Sequence, residues 1–355
     1  VELSAAEAEA RELPTEFREA SLRRRGLQAI AALAVLAAII VLAPGLGEIR
    51  DELAAAAPGW LLVGVALESL SFGSYIVMFA PIFCGEMGWR RSWQIGGSEL
   101  AMGSLVPASG LGGLALGAWV LHGGGMDSEW IARRSVAFFL IKSSVNFIAV
   151  AVLGTLLFIG LLGPELSPLL TIVPAAAATF VIGAVLLIPR LGPGAEPGPD
   201  ASRGRRAWSA TRRAMISGTA ESIAIVRSGN YRVIGGAIGY WAFDNAVLWA
   251  TFRAFGATPE VTVILLAYLL GQLGGLLPLP GGIGGIDGGL IAAFVLYGVP
   301  VAVTAAAVFA YRLILFWLPL IAGGIAFSAL RRDMPEPDEL ARCQPSYAEA
   351  TMRFG

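Results

Sequence analysis

The chain has 355 residues, 56% of them apolar and only 14% charged, with a mean hydropathy of +0.71. Soluble domains carry about a quarter charged residues, so this composition excludes an ordinary soluble protein, and 45 glycines with no three-residue period exclude a collagen-like chain. The net charge of −1 gives no electrostatic pull towards nucleic acid.

Residues 1–26 are charged and read as a cytoplasmic N-terminal segment. Leu27 to Ala43 is the first apolar run. Its basic lead-in is shared with signal peptides, but no small-residue cleavage site opens onto a hydrophilic chain, so it reads as a first span. Further apolar segments cover 59–83, 94–107, 110–122, 135–162, 169–189, 230–255, 260–278, 283–298 and 301–330. The expected fold is all-α, a polytopic transmembrane helical bundle of about 8–10 membrane segments. Several segments are short or broken by Gly and Pro, the pattern of half-helices or re-entrant segments. Residues 27–330 form the transmembrane domain, the Arg-rich 190–229 stretch is its one real loop, and 331–355 are a tail.

Arginine placement sets the orientation. Arg23, Arg24, Arg25, Arg90, Arg91, Arg133, Arg134, Arg331, Arg332 and the 190–229 loop fall on one side if every segment crosses. Loops 44–58, 163–168 and 256–259 on the other side are poor in basic residues. A multi-pass protein of the cytoplasmic membrane, with both termini cytoplasmic, is expected. The second half of the 190–229 loop suits a helix lying along the membrane surface, its arginines serving as a topology signal or touching anionic lipid.

Two cysteines, Cys84 and Cys343, make no disulfide framework and no thiolate metal site. One histidine, His122, excludes a multi-histidine metal site and reads as a helix-end residue. No metal and no cofactor are expected. Trp60, Trp89, Trp93, Trp130 and Trp241, near span ends, form an aromatic belt.

Two stretches resemble each other. One starts with SGLGG at Ser109 and the other with GGIGG at Gly281. Each has prolines before a glycine-rich turn, then a short apolar helix, a break, and a long span with one basic residue, Lys142 or Arg312. The orientation above gives the copies opposite directions, the pattern of an inverted repeat with its site at the interface. Small-residue-rich membrane helices that look alike by composition are the alternative.

Charges inside apolar spans cost several kcal/mol and face a cavity or a partner. Here they are Glu68, Glu99, Lys142, Asp244, Asp287 and Arg312, with Asn146 and Gln272 as neutral polar groups. Arg312 lies between AAAVFAY and LILFWLPL, far from water, so it needs a carboxylate or a phosphate. Asp287 and Asp244 can neutralise it, and Glu99 can do the same for Lys142. Two readings stand side by side: Arg312 and Lys142 meet an anionic head group in a cavity, or these are internal ion pairs that fix packing. In PLPGGIGGIDGG, Gly281, Gly282 and Gly284 free backbone N–H groups at a half-helix start for an anion, or allow tight helix packing.

LLPLPGGIGGIDGG (276–289), VLYGVP (295–300) and AYRLILFWLPLIAG (310–323) together resemble the transmembrane region of the lysylphosphatidylglycerol synthase, or flippase-like, family. The stretch from Gly88 to Leu121 is similar to the first half of such members. Asp287 stands where the family usually has Glu, and Ala115 and Gly117 stand where many members have an acidic residue and an arginine. The resemblance covers about 27–330 and omits the soluble aminoacyl-transferase domain of full-length synthases. It implies a membrane module that binds or translocates polar or anionic lipids, including aminoacylated head groups, and is not an enzyme. A non-catalytic accessory subunit of cell-envelope lipid or glycan synthesis is the second reading, with a homodimer or an envelope synthase as its protein partner. An intramembrane aspartyl enzyme built on Asp244 and Asp287 is the third, although neither flanking sequence fits one.

Overall fold

A computed structural model describes residues 47–105, 111–162, 167–192, 194, 202–272, 284–336 and 339–344, with isolated positions between 24 and 34. The expected first span at 27–43 and the turn residues Gly281 and Gly282 lie outside the described residues. Within them the chain is all-helical, with eleven α-helices and no strand.

The helices are α1 (Gly47–Ala54), α2 (Pro58–Phe83), α3 (Trp89–Leu105), α4 (Leu111–Gly123), α5 (Ser128–Phe158), α6 (Pro168–Leu187), α7 (Arg203–Arg227), α8 (Tyr231–Ala254), α9 (Val261–Gln272), α10 (Gly285–Leu296) and α11 (Val301–Arg332). Four are long and apolar enough to cross a bilayer: α2, α5, α6 with its 3₁₀ extension to Leu191, and α11. Helices α4, α9 and α10 are apolar but shorter.

Local sequence explains the helix starts. Asp127 caps α5 by accepting from the N–H groups of Glu129 and Trp130. Ser202 caps α7 through Arg205 N–H, and Asn230 caps α8 through Arg232 N–H. Proline at the first turn of α2 and α6 occupies a position that needs no amide donor. The segment 44–58, read from sequence as a loop, contains α1; its GEIRDELA sequence spaces Glu48 and Glu52 one turn apart around Arg50.

Helices α2 and α8 form the central pair. Gly64 packs at Val247, the Ser71 hydroxyl donates to the Tyr240 carbonyl at 3.1 Å, and Gly236 sits against Ser74 and Met78. The pairing is therefore antiparallel. Helix α3 packs on α11 through Gly97, Ala101 and Gly323, where a side chain on Gly323 would strike α3 backbone. One apolar core gathers the second half of α2 with α3, α4 and the start of α5. A second gathers the last part of α8 with α9, α10 and the start of α11. Large apolar side chains such as Ile148, Val152, Leu169, Val173 and Phe180 point outward from α5 and α6, as lipid-facing surfaces require.

The 190–229 loop does hold a helix in its second half. Helix α7 buries Ile216, Gly218, Thr219 and Ser222 and packs on α5. Its Glu221 pairs with Arg133 and Arg134 at 3.6 and 3.3 Å, and both guanidinium groups lie over the Trp130 ring.

The cysteine expectation is corrected. Cys84, just after α2, is disulfide-bonded to Cys343. A separation of 259 residues hid the pairing. What brings the thiols together is the fold-back of the stretch after α11. There Arg91 binds Glu339 at 2.8 Å, and Leu340 N–H donates to the Gly124 carbonyl at 2.8 Å.

Candidate functional site

Among the described residues, two polar clusters lie within the helix bundle. The first joins α8, α9, α10 and α11. Asp244 on α8 accepts from the Tyr311 hydroxyl at 2.8 Å and from the Tyr268 hydroxyl. Arg312, one residue beyond Tyr311, donates from Nε to Asp287 Oδ1 at 2.6 Å and is 8% exposed. The other oxygen of Asp287, Oδ2, accepts from the Gly284 N–H at 2.8 Å and closes the start of α10. Gly284 holds φ at +86°, a left-handed conformation that glycine adopts without steric cost. The glycine turn thus aims a capping carboxylate at the membrane-embedded arginine.

The second cluster joins α2, α3, α5 and α8. The Tyr75 hydroxyl donates to Glu99 Oε2 at 3.0 Å. Lys142 Nζ lies 5.7 Å from the centre of the Tyr75 ring and 5.5 Å from that of Tyr240, within reach of cation–π attraction. A pocket of about 190 Å³ opens here, lined by Tyr75, Glu99, Phe138, Phe139, Lys142 and Tyr240 among others. Phe139 is 46% exposed on the outer side of α5, so the pocket lies against a surface that faces lipid. Gly113 of α4 also lines the pocket, and Gly113 and Gly117 lack side chains where the Glu99 backbone and carboxyl sit.

The expected site residues therefore divide. Arg312, Asp287 and Asp244 gather in one cluster, with Gly284 beside it, and Lys142 and Glu99 in the other. Asp244 and Asp287 are held by different partners. His122 ends α4, with Nδ1 3.0 Å from the Met126 carbonyl oxygen. Sequence reasoning missed Tyr75, Tyr240, Tyr268 and Tyr311. The one available signal was their position inside apolar runs, away from the span ends where an aromatic belt belongs.

The clusters are spaced alike along the chain. Tyr75 and Glu99 are 24 residues apart, and so are Asp244 and Tyr268. Lys142 follows Glu99 by 43 residues and Arg312 follows Tyr268 by 44. In each cluster a tyrosine–carboxylate hydrogen bond joins two helices, α2 to α3 and α8 to α9, and a cation stands on a long later helix.

Residues 29–323 match the model of the lysylphosphatidylglycerol synthase TM region. A UPF0104 membrane protein of Methanothermobacter thermautotrophicus is 26% identical over 323 residues, covering 84% of this chain and 92% of the relative. A UPF0104 membrane protein of Methanocaldococcus jannaschii is 32% identical over 95 residues, covering 26% of this chain and 28% of the relative. With long apolar helices, membrane-embedded charges and a family match over most of its length, this multi-pass membrane protein belongs to the lysylphosphatidylglycerol synthase transmembrane-region family.

Proposed function

We propose that this protein binds the polar head groups of anionic or aminoacylated membrane lipids and carries them across the bilayer without chemical change. The observation behind this reading is the pocket at Lys142. It holds a cation and a carboxylate among apolar helices, beside the outward-facing Phe139. A lipid can keep its tails in hydrocarbon while its head group enters such a pocket from the side. Lys142 suits a phosphate, Glu99 suits an amino group, and the tyrosine rings line the passage.

The like spacing of the two clusters supports an inverted repeat, with Lys142 and Arg312 as equivalent cations. Alternating exposure of the halves then moves the head group. Separate partners for Asp244 and Asp287 favour transport over aspartyl chemistry, which needs two carboxyl groups sharing a proton at about 3 Å. The orientation that fits the arginines keeps both termini in the cytoplasm.

The test is translocation of head-group-labelled phosphatidylglycerol in vesicles containing the purified protein. Lys142→Ala and Arg312→Ala are each expected to slow it by at least about tenfold. That loss matches one hydrogen bond to a charged group, roughly 1.5–3 kcal/mol. Unchanged rates in both variants would remove the basis for the reading.

A further inference from the structure

Glu68 belongs to none of the ion pairs described above. It lies on α2, is 5% exposed, and its Oε2 has no hydrogen-bond partner among the described residues. Its level in the bundle follows from the α2–α8 pairing. Gly64 is opposite Val247 and Ser71 opposite Tyr240, which puts Glu68 level with Asp244 on the facing helix. Asp244, Tyr240 and Tyr268 lie within electrostatic range of Glu68, in agreement with that placement.

The groups around this pair come from every neighbouring helix. Helix α8 presents Asp244 and Tyr240, α9 presents Tyr268, and α11 presents Tyr311 and Arg312 from the Asp244 side. Helices α3 and α5 present Glu99 and Lys142, but two turns further along α2, at Tyr75. The Tyr268 and Tyr311 hydroxyls donate to Asp244, and the Arg312 Nε donates to Asp287. Two charged carboxylates side by side in an apolar interior are strongly unfavourable. One shared proton removes a charge and provides the donor that Glu68 Oε2 lacks.

We propose that Glu68 and Asp244 form a proton-binding site in the middle of the bundle, and that its proton is exchanged as a head group passes. The second clause rests on the transport function proposed above, whereas the site itself does not. Tyr240 is the connection between the two: it stands one turn before Asp244 on α8, its carbonyl accepts from Ser71 of α2, and its side chain lines the Lys142 pocket. On release, the Glu68 O–H bond breaks, a carboxylate remains, and the proton is taken up by water in that pocket.

Infrared difference spectra of the full chain in lipid, between acidic and alkaline buffer, read protonated carboxyl groups directly. The wild type is expected to lose a carboxylic-acid C=O band on alkalinisation. Glu68→Gln and Asp244→Asn should each lack that loss, and Glu68→Asp should keep it at a shifted position. A wild-type spectrum without the band, or the same loss in both Glu68→Gln and Asp244→Asn, overturns the site. In vesicles, one proton per lipid makes a difference of about one pH unit shift the steady-state lipid distribution about tenfold in the wild type. Glu68→Gln should show no such shift. A distribution that ignores the gradient, in wild-type vesicles that do move lipid, overturns the coupling. Wild-type vesicles that move no lipid refute transport and the coupling with it, while the infrared band alone decides the proton site.

Discussion

Glu99 occupies the space that a side chain on Gly117 would need, so a single missing Cβ shapes one wall of the Lys142 pocket. Gly117→Ala is expected to push the Glu99 carboxyl off α4 and weaken its bond from Tyr75. Overpacking of this kind costs about 1–3 kcal/mol, which a thermal unfolding midpoint will show. An unchanged midpoint and unchanged head-group binding would mean that Glu99 has another place to sit. At this scale the charged residues were legible in the sequence, because each stands out in an apolar run. The tyrosines were not. Tyr75, Tyr268 and Tyr311 look like core aromatics until the fold brings their hydroxyls to Glu99 and Asp244.

At the level of helices, apolar runs located most of the described elements to within a few residues. The segment read at 301–330 is α11, and that read at 230–255 is α8. Helix α1 escaped because its residues are polar and its eight-residue length gives too short a pattern. Helix contacts are less legible, since they depend on glycines whose role is to be absent. Gly323 of α11 abuts the Gly97 carbonyl and Ala101 of α3. Gly323→Leu should therefore separate α3 from α11 and lower the unfolding midpoint markedly. Gly324, with open space around its Cβ position, is the control: Gly324→Ala should leave the midpoint nearly unchanged. Equal effects at both positions would contradict the close α3–α11 contact.

Across the whole molecule, the disulfide and the arginines make opposing demands. Arg90, Arg91, Arg331 and Arg332 lie at the end of the bundle that carries Cys84 and Cys343. In the orientation expected from positive charge, that end lies in the cytoplasm, where thiols stay reduced. If the assignment holds, both cysteines in cells should react with a maleimide under non-reducing conditions. A pair that resists until a reductant is added would place this end in an oxidising compartment and invert the orientation. The pairing itself was illegible in the sequence because contacts of the stretch after α11 create it, above all Arg91 with Glu339.

The central claim, that a lipid head group enters the Lys142 pocket from the side, is tested most directly by cross-linking. A phosphatidylglycerol with a photoreactive head group, incorporated into vesicles with the full chain, should label peptides carrying Ser104, Leu114 and Phe139, which line the pocket. The label should fall sharply in Lys142→Ala. Labelling confined to the outer faces of α5 and α6, with equal yield in Lys142→Ala, would contradict the account.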